Sequence, residues 1–319
     1  MRNILLLSTG SKVGLTRIVK RACHKRGATL HGIDRDSSVP TTHFVDAFQA
    51  IKGENWLHSV LDYCRNHNIG LVIPTRHSDL STLIRGIRQF SDTGIRVALS
   101  SPETIDICIN KISTHDFLVK NGYPTPNTLP FIPENTSELG SLLPLVVKPA
   151  RGSGSRDIHI VESLPELPSV HQSGSHIAQS IAKGYEYTIN VYVSRNGKCL
   201  CSIPHRRVVV DGGESVQAIT EKNPQLMALG HSIAEALPGA RGPLNIQAFF
   251  DPETGEAQVI EINPRLGGGF PLVDRAKGCF VEWLIQELLE NKDLPPLSDW
   301  TSGLRMMRYR DAIFDFPNL

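Results

Sequence analysis

The stretch Leu244-Asn-Ile-Gln247-Ala-Phe-Phe, the turn Asp251-Pro-Glu-Thr-Gly255 and the run Val259-Ile-Glu261-Ile-Asn263-Pro-Arg265 constrain the fold of this chain more than any other segment. Two apolar, alternating runs around a Pro/Gly turn specify paired antiparallel strands with one buried face. Pairing of Phe250 with Glu256 places Gln247, Glu261 and Asn263 on one face, because strand side chains alternate with period two. Ile246, Ala248, Ile260 and Ile262 fall on the other. Three oxygen-bearing side chains over an apolar back suit a hard cation such as magnesium, which takes carboxylate, carbonyl and phosphate oxygens. For the Glu and Asn alone, a solvated strand face is the competing explanation.

A length of 319 residues accommodates two or three compact domains. The net charge of +1 and the absence of a basic block give no footprint for nucleic acid. Six cysteines are scattered without a CxxC pair, so neither a disulfide framework nor a zinc knuckle is expected, and they read as reduced thiols of a cytoplasmic protein. The opening Met1-Arg-Asn-Ile-Leu-Leu-Leu-Ser holds four consecutive apolar residues, too few for a signal peptide or a membrane span. A buried first strand is expected there.

From residue 3 to about 100 short apolar runs alternate with amphipathic stretches. Strands are expected over 4–7, 29–33, 69–73 and 95–99, with helices near 14–26, 54–66 and 78–89. This is the pattern of parallel strands joined by helical crossovers, hence an α/β chain. Thr9-Gly10-Ser-Lys-Val-Gly14 and Asp34 sit where a dinucleotide entry would be, but the glycine spacing is not GxGxxG, so a tight turn is expected. One helix is expected over 103–121, stopped by Gly122-Tyr-Pro-Thr-Pro126. Further strands are expected over 145–148, 176–181, 187–193 and 199–203, with His205-Arg206-Arg207 following the last. A helix near 225–237 precedes the hairpin. Another near 279–290 either covers the core or joins a partner, and a short strand and tail close the chain.

Arg151-Gly152-Ser153-Gly154-Ser155-Arg156 carries glycines that let main-chain amides approach an anion, with serine and arginine donors beside them. It is not a Walker loop. A flexible hairpin tip is the bland alternative for such a loop in isolation. Lys148, delivered by a strand to the root of the loop, is placed to meet a nucleotide phosphate.

With these elements in place, the chain resembles an ATP-grasp enzyme, of the branch related to the ATP-binding halves of the carbamoyl-phosphate synthase large subunit. The resemblance runs from the leading α/β domain to about residue 275. It is carried by Asn110-Lys111, by Lys148 with the 152–155 loop, by the segment Gln179 to Glu186, and by Gln247 with Glu261-Ile-Asn263-Pro-Arg265. It implies a Rossmann-like parallel-sheet domain over 1–100, an ATP-grasp small lobe over 101–185 with linker helix and lid, and a large lobe over 186–319 with the metal site.

The resemblance also implies roles. Lys111 and Lys148 would contact ATP phosphates, and Gly152, Ser153, Gly154 and Ser155 would close over them. Gln179, Ser180 and Ile181 would form the hinge that reads adenine through its main chain, with Glu186 on the ribose. Gln247, Glu261 and Asn263 would hold one or two magnesium ions, with manganese an acceptable substitute. Arg265 would steady the transferring phosphate, so Arg265 and Lys148 are the catalytic candidates. Arg206 and Arg207 would suit a substrate carboxylate, Glu214 an ammonium, and Gly267 and Gly268 a substrate lying against the main chain.

Phosphoryl transfer needs positioning and charge stabilisation more than a nucleophilic side chain, so this set suffices for it. The expected activity is ATP-dependent ligation: a small-molecule carboxylate becomes an acyl phosphate, which an amine opens to an amide. Phosphorylation of bicarbonate, as in a carboxylase or a carbamoyl-phosphate synthase-like subunit, is a second reading. A nicotinamide-dependent oxidoreductase or nucleotide sensor is a third. Small-molecule partners are expected, with no nucleic acid and no membrane, and a homodimer is left open.

Overall fold

Four successive apolar side chains, Ile4 to Leu7, are fully buried, which requires apolar cover on both faces of their strand. The computed structural model, which describes residues 2–132, 134–152, 154, 157–168 and 175–315, places them in a five-stranded parallel sheet ordered β3-β2-β1-β4-β5. Its elements are β1 (Asn3–Leu7), α1 (Val13–His24), β2 (Leu30–Asp34), β3 (Ala47–Ala50), α2 (Trp56–Asn66), β4 (Ile69–Pro74), α3 (His77–Arg85), α4 (Ile87–Ser91) and β5 (Arg96–Val97). Ile4 and Leu6 join one core with α1, while Leu5 and Leu7 join another with α2 and Phe90. The short edge strand β3 lacks an apolar alternation and is not anticipated by the sequence reading.

The turn after β1 is closed from within. Gly10 N donates to Asp34 Oδ2 at 2.8 Å and Arg35 N to Asp34 Oδ1 at 2.7 Å. The carboxylate that a dinucleotide ribose would need is therefore spent on the turn itself.

Next come α5 (Pro102–Ile109), α6 (Lys111–Lys120), β6 (Thr128–Pro130), α7 (Thr136–Gly140), β7 (Leu145–Pro149), β8 (His159–Val161) and β9 (His176–Ser180). The strands form an antiparallel sheet ordered β6-β9-β7-β8. The single helix expected over 103–121 is two. Asn110 adopts φ −124° and ψ 120°, and its side chain accepts from Ile112 N. That extended residue caps α6 and turns Lys111 N toward Ala150 O at 2.9 Å.

The chain continues through β10 (Tyr185–Val193), β11 (Cys199–Asp211), β12 (Glu214–Thr220), α8 (Pro224–Ala236), β13 (Gly242–Phe250), β14 (Ala257–Asn263), α9 (Phe270–Arg275), α10 (Phe280–Leu288) and β15 (Arg305–Met307). These strands make a six-stranded antiparallel sheet ordered β14-β13-β10-β11-β12-β15. Its back packs on α8 through Ile189, Ile246, Val259, Leu226 and Ile233. On the front, Tyr192 and Ile203 meet α9, α10 and residues of α1 in one continuous core. The N-terminal sheet is thereby fixed against the front of the large sheet. Val281, Leu284 and Ile285 of α10 belong to that core, so this helix covers it.

Two expectations about the large sheet are corrected. His205-Arg206-Arg207 lies inside β11 and does not follow it, because pairing with β12 extends the strand to Asp211. In the hairpin, Phe250 pairs with Ala257 and not with Glu256, and Ile260 is an extra residue between the pairs Gln247–Glu261 and Ala248–Val259. This bulge hands the core position expected of Ile260 to Val259. It also sets Gln247 directly opposite Glu261, and Asn245 opposite Asn263.

Candidate active site

Lys148 leaves β7 in a buried position and donates to Gln179 Oε1 at 2.8 Å, while Gln179 Nε2 donates to Thr128 Oγ1 at 2.8 Å. Burial lowers the Lys148 pKa to about 8; Lys111 adds to the drop, and Glu261 and Glu186 oppose it. Lys111, at the start of α6, donates to Gly152 O at 3.3 Å, so both expected phosphate lysines stand at the root of the glycine-rich loop. Gly152 and Gly154 adopt positive φ values of 122° and 89°, and Ser153 and Ser155 lie outside the described residues. At the expected hinge, Ser180 N donates to Asn127 O at 2.9 Å and Ile181 N reaches Pro144 O at 3.3 Å.

Glu186 is the second residue of β10, on the front of the sheet. Arg207 Nη1 donates to its Oε1 at 2.6 Å and Arg207 Nη2 to Gly213 O at 2.8 Å. Burial raises the Glu186 pKa, with Arg207 and Lys148 opposing and Glu261 adding to the rise. Arg207 is thus committed to a protein carboxylate, in contrast to the expectation that it meets substrate. Arg206 takes the opposite face of β11, as neighbours in a strand must. Its guanidinium lies over the Tyr185 ring at 4.9 Å and its Nε is 3.4 Å from Glu221 Oε1. The two arginines therefore do not form one substrate clamp.

The bulged hairpin puts Asn245, Gln247, Glu261 and Asn263 on the front. Asn245, not anticipated, donates to Arg265 O at 2.8 Å and so holds the chain leaving β14. Among the described residues, no group of three His, Cys, Asp or Glu could hold a metal. A cation here would have one carboxylate, two amide oxygens and nucleotide phosphates, a set that fits magnesium, which is bound through one or two carboxylates with phosphate and water. Arg265 Nη2 donates to Asn263 Oδ1 at 3.4 Å. Burial lowers the Arg265 pKa, and Glu261 and Glu214 oppose the shift.

Glu214, expected to receive an ammonium, is already paired. Arg308, from the segment after β15, donates to Glu214 Oε2 at 2.6 Å and also to Gly268 O. The glycines at 267–269 admit protein side chains where substrate was expected. A Cβ on Gly267 would meet Asn245 Nδ2 at 3.1 Å, one on Gly268 would meet Glu214 Cδ at 3.2 Å, and one on Gly269 would meet His205 Cε1 at 2.6 Å. His205 is fully buried, and its Nδ1 accepts from Asn190 Nδ2 at 3.0 Å. That amide is oriented by its further bond to Ile203 O at 3.1 Å.

The N-terminal domain contributes residues that the sequence reading passes over. His77, the first residue of α3, is buried beside Glu261, Lys111, Arg265 and Asn263; burial lowers its pKa first, Arg265 next. Lys12 has Arg76, Arg265, Glu214 and Asp34 as charged neighbours, and burial is the main cause of its lowered pKa. The available signal was topological: both residues follow the C-terminal ends of parallel strands, where α/β sheets meet ligands. Arg308 had no such signal.

A parallel α/β domain leading into two antiparallel sheets, with Lys148 of one sheet and Lys111 of α6 beside an amide and carboxylate cluster on the other, is the architecture of ATP-grasp proteins. Residues 108–269 match the family model described as ATP-grasp domain, and residues 4–98 match the model described as PylC-like, N-terminal domain. The chain belongs to the ATP-grasp family.

It is 30% identical over 241 residues to the N-terminal section of the carbamoyl phosphate synthase large chain of Methanopyrus kandleri, covering 69% of this chain and 42% of that one. It is 30% identical over 208 residues to the carbamoyl phosphate synthase large chain of Methanothermobacter thermautotrophicus, covering 58% and 19%. The chain thus spans less than half the length of these relatives. Among solved structures, the biotin carboxylase domain of Hydrogenobacter thermophilus 2-oxoglutarate carboxylase superposes with a TM-score of 0.77 at 16% identity, covering 96% of this chain and 73% of that one. N5-carboxyaminoimidazole ribonucleotide synthetase of Thermotoga maritima gives 0.66 at 19% identity, covering 96% and 79%. At these identities the likeness establishes the fold.

Proposed function

We propose that the protein is an ATP-dependent ligase that phosphorylates a small-molecule carboxylate with MgATP and joins the acyl phosphate to an amine, releasing ADP and phosphate. The observation that carries this reading is the convergence on Glu261: its charge bears on Lys148, Glu186, His77 and Arg265, which come from four separate segments. In this reading the lobes divide at about residues 100 and 185. Lys111, Lys148 and the 152–155 loop hold the phosphates, and residues 179–181 face adenine. Glu186 offers the ribose the oxygen that Arg207 does not take. Gln247, Glu261 and Asn263 hold one or two magnesium ions, and Arg265 stabilises charge on the phosphoryl group in flight.

Bicarbonate as the phosphoryl acceptor is the second reading, favoured by the carbamoyl phosphate synthase relatives and by the Hydrogenobacter structure, a complex with MgADP and bicarbonate. ADP release that requires magnesium, a carboxylic acid and an amine supports the ligase. Release driven by bicarbonate alone supports the second reading, and no nucleotide turnover with either sinks both. Five of the six free cysteines are buried, in keeping with a cytoplasmic setting. Among the described residues no helix is long and apolar enough to cross a membrane. The Hydrogenobacter domain is a dimer; light scattering decides whether this chain pairs likewise.

A further inference from the structure

The adenine role proposed for residues 179–181 uses their main chain and leaves the side chain of Gln179 without a task. Pairing of β9 with β6 and β7 sets Gln179 opposite Thr128 on one side and Val146 on the other. Strand alternation then puts Thr128, Gln179 and Lys148 on one face of the small sheet, with Leu145, Val147 and Ala178 in the apolar core behind it. All three polar side chains are buried. They form a directed chain: Thr128 Oγ1 donates to Pro126 O at 2.9 Å, Gln179 Nε2 donates to Thr128 Oγ1 at 2.8 Å, and Lys148 Nζ donates to Gln179 Oε1 at 2.8 Å.

The direction is forced at both ends. A hydroxyl has one proton, and Thr128 spends it on Pro126 O, so towards Gln179 it can only accept. An ammonium has donors only, so Lys148 requires the amide oxygen. Turning the amide over would set donor against donor and acceptor against acceptor in a buried place, which costs free energy. An amide also accepts without bringing a charge, so the ammonium is held still while its positive charge is left to a ligand. The charged groups around it are Lys111 on α6, which disfavours the ammonium, and Glu261 on β14 and Glu186 on β10, which favour it. We propose that Gln179 is a positioning residue, whose side chain fixes the Lys148 ammonium for the nucleotide phosphates while its main chain faces adenine. The inference deepens the proposed ligase function and rests on it for the identity of the ligand.

Two measurements on the full chain separate the inference from that reading. One is the titration of Lys148 without nucleotide, followed by the NMR shift of its Cε and assigned by the loss of that signal in Lys148→Arg; the other is MgADP affinity by calorimetry. Gln179→Glu sets a carboxylate against the ammonium. It should raise the Lys148 midpoint by about one pH unit or more and weaken MgADP about tenfold at neutral pH, because the carboxylate takes up the charge meant for phosphate. Gln179→Met keeps the length without the acceptor, so it should lower the midpoint and weaken MgADP roughly fivefold. Thr128→Val frees the amide to turn and should shift both readouts in the same direction as Gln179→Met. A midpoint unmoved by both Gln179 substitutions overturns the inference, as do MgADP affinities within about twofold of the wild type in all three variants. A midpoint that moves as expected in a protein that takes up no MgADP keeps Gln179 as the residue that fixes Lys148 and sinks the ligase reading.

Discussion

Lys148 donates its ammonium to Gln179 Oε1 at 2.8 Å, a bond that holds a buried cation whose pKa is lowered to about 8. Because burial lowers this pKa, the lysine begins to lose its charge just above neutrality. Below about 8 it is protonated and attracts a nucleotide phosphate; above that value the attraction fades. Affinity for Mg-nucleotide should therefore fall as pH rises through about 8, with calorimetry as the readout. Lys148→Arg should flatten the profile, since a guanidinium stays charged. A profile unchanged by that substitution would remove Lys148 from the phosphate site.

Glu261 is the one carboxylate of the proposed metal set, and Gln247 faces it directly across the hairpin. Glu261→Ala should cut ADP formation about a thousandfold while leaving the thermal midpoint little changed, because it removes charge stabilisation from a partly buried position outside the apolar core. Gln247→Glu should tighten binding of Mn²⁺ with ADP by about tenfold, since ligand charge sets cation affinity. Activity of Glu261→Ala near the wild-type level would count against the site.

The buried ion pair between Arg207 and Glu186, with side chains 4% and 22% exposed, yields a stability prediction. Arg207→Ala leaves Glu186 buried without its partner and should cost about 2–3 kcal/mol, whereas Arg207→Ala with Glu186→Gln should recover most of it. Chemical denaturation of the four proteins measures the coupling. Additive losses would show that the pair does not hold the strand pair β10–β11 at this point.

These cases mark where sequence reasoning reached and where it stopped. Strand alternation was enough to put Gln247, Glu261 and Asn263 on one face, and the same rule applied two residues earlier would have added Asn245. Lys148 was legible because an apolar run delivered it to a glycine-rich loop. The bulge at Ile260 was not, since nothing in an alternating run marks the residue that will be left unpaired. Nor was the break at Asn110, because an asparagine is tolerated within a helical pattern until its neighbour's N–H is needed by Ala150 O. The pairing of Arg207 with Glu186 and of Arg308 with Glu214 depends on which strands become neighbours, information that lies in tertiary packing. The parallel sheet was anticipated strand by strand except for β3, whose Ala-Phe-Gln-Ala has no alternation to read.

Gly269 supplies a packing prediction. A Cβ there would stand 2.6 Å from His205 Cε1 and 2.7 Å from His205 Nε2, and the ring cannot retreat because Asn190 holds its other side. Gly269→Ala should destabilise the protein by about 1–3 kcal/mol through overpacking. In a His205→Ala background the same substitution should cost far less, since the obstructing ring is gone. Equal costs in both backgrounds would place the strain elsewhere.

His205 also sets an acid response. Burial, with Arg207 and Arg308 nearby, lowers its pKa from 6.5 to about 3. In the unfolded chain the ring takes up a proton as pH falls below about 6.5, while in the folded protein it stays neutral down to about 3. The unfolded state therefore binds more protons in that window, and its share of the folding free energy is lost as pH falls, at up to about 1.4 kcal/mol per pH unit. His205→Gln removes that proton uptake. Denaturant midpoints measured between about pH 6.5 and pH 4.5 should drop less steeply for His205→Gln than for the wild type. Parallel pH profiles for the two proteins would mean that the ring is charged in the folded state or exposed to solvent.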